Sequence, residues 1–178
     1  MNNHNLHYLI LIIGNDYYPS GPQTNVAWTT ITNGGWELCY SSSYSSPLNA
    51  AATRSIRFSR CTKSNILLGC RLVNSPNTII TLAWASRDCV FTRNTGTSGS
   101  ATTTCEGTEW YFNNAYSWGF AKAGDGVCKN QCDQATSGCN DCRLCLHTQG
   151  SGGWRCGSTT ELHDDNSYEK VIFQKGKK

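Results

Sequence analysis

The chain has 178 residues, 38% of them apolar and 15% charged, with a formal net charge of +3 and eleven cysteines. The terminal Lys175, Lys177 and Lys178 account for that excess, so the remainder is balanced and no basic stripe of the kind that binds nucleic acid is expected. The thiol density argues against a reducing compartment and points to one extracellular or cell-surface domain, stapled by disulfides.

At the N-terminus Leu6, Tyr8, Leu9, Ile10, Leu11, Ile12 and Ile13 form an apolar run. A membrane-spanning helix needs about 20 residues, so no membrane insertion is expected. No Lys or Arg precedes the run, which makes it a poor secretory signal. It reads as a β-branched strand on a turn-prone tether, Asn15 to Thr24, that contains Pro19, Gly21 and Pro22. Such a strand either edges its own sheet or is donated to a neighbouring subunit. The expected organisation is an arm and tether over 1–24, a disulfide-rich β domain over 25–174 and a solvated basic tail over 175–178.

Short runs rich in Val, Ile, Thr and aromatics follow, separated by turn residues. Strands are expected at Val26–Ile31, Trp36–Tyr40, Ile66–Val73, Thr78–Ala85, Cys89–Thr92, Glu109–Phe112, Tyr116–Ala121, Arg143–His147, Gly153–Cys156 and Tyr168–Gln174. That spacing implies an all-β fold, a β-sandwich or jelly-roll-like domain. Only Pro47 to Ile56 reads as a helix, with Ser45 or Ser46 as its cap.

Between Cys89 and Cys105 lies a hydroxyl-rich stretch that reads as a long hairpin closed by a disulfide between those two cysteines. Its Thr95, Thr97, Ser98, Ser100, Thr102, Thr103 and Thr104 are the candidates for O-linked sugar, against the plainer reading of a polar loop. No asparagine stands in an N-glycosylation acceptor sequence. Two Gly-Gly-Trp segments, ending in Cys39 and Cys156, echo one another. Each Trp would cover a disulfide in the core or, if exposed, offer a stacking platform for a sugar.

GGWELCYSSSYSSPL, EWYFNNAYSWGF, RLCLHT and GGWRCG, followed by YEKVIFQ, together resemble an uncharacterised class of extracellular modules found in large secreted and surface proteins of microbes. The resemblance covers Asn33 to Gln174 and implies a secreted β-rich fold with paired cysteines. It implies no activity. The cysteines that match it are Cys39, Cys61, Cys70, Cys132, Cys145 and Cys156, whereas Cys89, Cys105, Cys128, Cys139 and Cys142 are additions.

An odd cysteine count permits at most five disulfides, with one residue left over. The crowded run Cys128, Cys132, Cys139, Cys142, Cys145 also raises zinc, but it lacks two clean thiolate pairs. Disulfides are the expectation, and no metal or cofactor is called for. No nucleophile elbow, zincin or phosphate-loop motif is present, so the chain reads as a non-enzyme. Two functions fit. In the first, the protein is a self-assembling structural subunit of a filament or surface layer, and its apolar arm completes a neighbour's sheet. In the alternative it is an adhesion or glycan-binding module that stacks sugars on Trp110, Tyr111, Tyr116 and Trp118.

Overall fold

A computed structural model describes residues 16–94, 102–113, 117–128 and 132–177. Alternation along the strands sends side chains to two faces, and here both faces are covered. The first sheet comprises β1 (Gln23–Ala27), β2 (Glu37–Ser43), β3 (Asn65–Leu72), β4 (Thr78–Ser86) and β10 (Tyr168–Lys175), in the order β1-β4-β3-β10-β2. The second comprises β5 (Thr103–Cys105), β6 (Thr108–Phe112), β7 (Ser117–Lys122), β8 (Leu144–His147) and β9 (Arg155–Cys156), in sequence order. Every pairing is antiparallel. The fold is an all-β sandwich.

Ile66, Leu68 and Ile172 from the first sheet meet Trp110, Phe112, Trp118, Phe120, Leu144 and Leu146 from the second in one buried cluster. On the outer face of the first sheet, Leu67, Val171 and Phe173 are sealed by Ile31 and Trp36. The outer face of the second buries Tyr111 and Cys145 beneath Val127, Cys132 and Trp154. A single strand residue therefore finds an apolar partner whichever way it points.

This two-sided burial overrides local propensity at two places. The run expected as one strand, Val26–Ile31, stops at Ala27 and turns into helix α1 (Trp28–Asn33). The turn drops Ile31, fully buried, onto the outer face of the sheet. Burying one such side chain is worth roughly 1.5–3 kcal/mol, more than the β-propensity scale of about 1 kcal/mol. Cys89–Thr92, also expected as a strand, instead begins within helix α3 (Arg87–Val90), capped by Ser86, whose Oγ accepts from the Cys89 amide at 3.3 Å. The expected helix is present as α2 (Ala50–Ser55), continuing into a π-helical turn, Ile56–Arg60. Its cap is Asn49 and not Ser45 or Ser46: the Asn49 Oδ1 accepts from Ala51 and Ala52 amides at 3.1 and 3.0 Å.

The arm residues Leu6, Tyr8, Leu9, Ile10, Leu11, Ile12 and Ile13 lie outside the described residues. The tether reading is corrected from Asp16 onward. Indole N–H groups of Trp36 and Trp84 donate to the carbonyls of Tyr17 and Pro19 at 2.7 and 2.8 Å, and Tyr18 stacks edge-on against both rings. Thr24 is already in β1, paired with Thr81. Nor is Lys175 a frayed end, because its ammonium meets Asp16 at 2.7 Å and the Gly34 carbonyl at 2.5 Å.

Five disulfides close the domain, consistent with an oxidising environment: Cys39–Cys61, Cys70–Cys156, Cys89–Cys105, Cys132–Cys145 and Cys139–Cys142. The Cys89–Cys105 pair is the one expected from the hairpin. The six cysteines covered by the resemblance bond only to one another, and of the additions only Cys128, half-buried, stands outside the five bridges. Of the two echoing segments, Trp154 packs with the Cys132–Cys145 bridge, whereas Trp36 packs on strand side chains and the tether. No helix among the described residues is long and apolar enough to cross a membrane.

Candidate binding cleft

Helix α2 starts on three alanines and leads into a turn one residue wider than α-helical, closed by the Cys61 amide donating to the Ile56 carbonyl at 2.9 Å. Such π turns are frequent at functional sites. Ile56 anchors this one in the core and the Cys39–Cys61 bridge ties down its end. Arg87, from α3, donates to the carbonyls of Arg57 and Cys61, which the helix itself leaves without partners. The turn is thus held rigidly while its outer side chains stay free of the core. Phe58 is 61% exposed, the most exposed large apolar side chain among the described residues.

Beside this turn is a cleft of about 570 Å³, within the usual size of ligand pockets. Arg54, Arg57 and Arg93 line it, with Phe58 and Phe112 as aromatic walls and Ala51 among the apolar contacts. No described lining residue is a carboxylate. The Arg57 guanidinium lies 5.1 Å from the Phe58 ring and 5.6 Å from Phe91, a cation–π arrangement that orients it. Arg87 approaches the same Phe91 ring at 5.6 Å, and Arg60 lies 5.8 Å from Tyr40 on the adjoining strand.

The charge distribution is local. Between residues 54 and 93 the chain carries seven Lys or Arg and a single carboxylate, Asp88. Five other cations are matched: Arg143 and Arg155 meet Asp133, Lys175 meets Asp16, and within the segment itself Arg71 meets Glu169 and Lys63 meets Glu37. Arg54, Arg57 and Arg93 form no ion pair with a described residue, and the Arg57 Nε is buried without a hydrogen-bond partner. A buried donor left so costs about 1–3 kcal/mol, and neighbouring guanidiniums repel. An anion placed in the cleft would relieve the repulsion.

The expected glycan-stacking rings are corrected. Trp110, Tyr111 and Trp118 are 1%, 0% and 0% exposed, because the two faces of β6 and β7 are both covered. Tyr111 donates its hydroxyl to the Leu144 carbonyl at 2.8 Å, and burial pushes its phenol well above the ordinary range. Tyr116 lies outside the described residues, as do Thr95, Thr97, Ser98 and Ser100. Of the remaining hydroxyls, Thr102 and Thr103 are half-buried and Thr104 is exposed.

The cleft arginines carry a signal that the count of total charge hides. Arg54, Arg57, Arg60 and Lys63 recur every three residues, through the segment that reads as a helix and just beyond it. Arg93 has no such mark, since only the packing of α3 against β6 brings it near. Comparison with family models, curated proteins and solved structures finds no match to the chain.

Proposed function

We propose that the protein is a secreted binding module that holds an anionic ligand in the cleft of Arg54, Arg57 and Arg93. The observation that carries this reading is that these three guanidiniums share one cleft whose described lining holds no carboxylate, and that none of them forms an ion pair with a described residue. Guanidinium groups bind carboxylate, sulfate and phosphate through paired N–H donors. The described lining offers guanidiniums, hydroxyl and apolar groups, a set suited to holding an anion. Five disulfides suit a module working outside the cell.

The test is the salt needed to elute the oxidised protein from an immobilised polyanion. Wild-type is retained, the triple variant Arg54→Gln, Arg57→Gln, Arg93→Gln elutes at markedly lower salt, and a Lys175→Gln, Lys177→Gln control follows wild-type. Equal elution of the triple variant and wild-type sinks the reading.

Assembly through the arm remains a second proposal, supported by one feature of the described residues. Asp16 is fixed to the domain by Lys175, so a strand at Leu6 to Ile13 would depart from a defined point beside Gly34. Light scattering and negative-stain imaging of the full chain beside a chain lacking residues 1–15 test it: filaments from the full chain alone support assembly, and identical monomers end it.

A further inference from the structure

Resting on the anionic-ligand reading, we infer that the ligand of the cleft is an acidic carbohydrate, its carboxylates or sulfates on Arg54, Arg57 and Arg93 and a sugar ring laid against Phe58. Three observations narrow the anion to this class.

The first is the mixture of surfaces. The cleft sets guanidiniums directly beside Phe58, Phe112 and Ala51. An anion without apolar surface, such as polyphosphate, satisfies the arginines and leaves the Phe58 ring in water. An acidic pyranose carries its charge on substituents and offers a face of C–H groups, which an aromatic ring covers.

The second is the exposure of Phe58 itself. It lies 61% exposed on a turn whose other flank is fixed by the buried Ile56 and by Arg87. The other exposed large apolar side chains among the described residues are Leu38 and Val73, at 43% and 44%. Membrane-surface binding requires a broad apolar face beneath a basic one, and a single ring in a cleft is not that.

The third is the extent of unmatched charge. A nucleic acid distributes phosphates along its length and is met by a track of Lys and Arg. Here Lys63, Arg71, Arg143, Arg155 and Lys175 are engaged by carboxylates. Arg54, Arg57 and Arg93, none of them in an ion pair with a described residue, share one cleft of about 570 Å³ instead of lying along a track, a volume that takes a short run of sugar units.

The experiment titrates the full-length oxidised protein by calorimetry with four probes at matched charge and ionic strength. These are an oligogalacturonate or sulfated oligosaccharide, inorganic polyphosphate, a single-stranded oligonucleotide, and phosphatidylserine vesicles. The acidic oligosaccharide is expected to bind about tenfold more tightly than polyphosphate, an advantage of the size of one aromatic contact. Phe58→Ser is expected to remove that advantage, lowering the affinity for the oligosaccharide about tenfold more than the affinity for polyphosphate. Because Phe58 is exposed, this variant keeps the fold, which circular dichroism and the unfolding midpoint check.

Equal affinity for sugar and polyphosphate, both lost in the triple arginine variant, overturns the carbohydrate inference and leaves the anion reading standing. Tighter binding of the oligonucleotide or the vesicles overturns it likewise. No binding of any probe overturns both.

Discussion

Arg143 grips Asp133 through both carboxylate oxygens, at 2.9 and 2.8 Å, with both side chains completely buried. The same guanidinium donates to the carbonyls of Gly126, Asp125 and Ser137, and Arg155 reaches the Asp133 and Ala135 carbonyls at 2.5 and 2.7 Å. A loop without regular strands is thereby converted into a wall of the second sheet. Two cations and one carboxylate replace the ladder hydrogen bonds that such a segment lacks.

Removing the carboxylate leaves two buried guanidiniums without their anion. Asp133→Ala is expected to destabilise by about 3–5 kcal/mol, the range for breaking a buried pair from one side. Chemical denaturation of the oxidised protein measures it. A loss below about 1 kcal/mol, the range of a surface pair, would show that the network is not integral to the fold.

Lys170 predicts a pH dependence. Its side chain is buried, donating to the Ser43 and Ser46 carbonyls at 2.6 and 3.2 Å, and burial lowers its pKa from 10.5 to about 8. Below that value both folded and unfolded states hold the proton, and the burial penalty is in full force. Between about 8 and 10.5 the folded state releases the proton first, so this group's contribution to stability rises with pH. Tyr44 and Tyr111, whose phenols burial raises well above 10.0, oppose the rise at its upper end. Urea midpoints across this window should climb for wild-type and climb less for Lys170→Met, with disulfide integrity checked by mass spectrometry. Parallel slopes would remove Lys170 as the cause.

The five bridges should differ in worth. Cys70–Cys156 spans 86 residues of sequence and joins the two sheets, while Cys139–Cys142 spans 3. Loop-closure entropy gives about 4–5 kcal/mol for the first and about 1.5–2 kcal/mol for the second. Paired Cys→Ala replacements, compared by denaturant midpoint, should reproduce that order. A larger loss at Cys139–Cys142 would place its role in native-state geometry and not in the unfolded chain.

The layered β architecture was legible because its physical causes are local. The short apolar runs of β3, β6, β7 and β10, the turn residues between them and the cysteine load all sit in neighbouring residues. The Cys89–Cys105 bridge was legible because the two cysteines flank one short hydroxyl-rich stretch, although Cys89 itself lies in helix α3 and not in a strand. Sequence by itself determined, too, that Arg54, Arg57 and Arg60 recur every three residues from the helical segment onward.

Tertiary structure alone decided what those residues face. Whether Trp110, Tyr111 and Trp118 stack on a ligand or fill a core depends on what covers the two faces of their sheet: the first sheet covers Trp110 and Trp118, and residues 127, 132 and 154 cover Tyr111. Whether an arginine is matched depends likewise on a carboxylate elsewhere: Arg71 finds Glu169 across the sheet, whereas Arg54, Arg57 and Arg93 find none among the described residues. Alternation specifies the face of a side chain; burial and ion pairing are properties of distance in space, which only the closed sandwich sets.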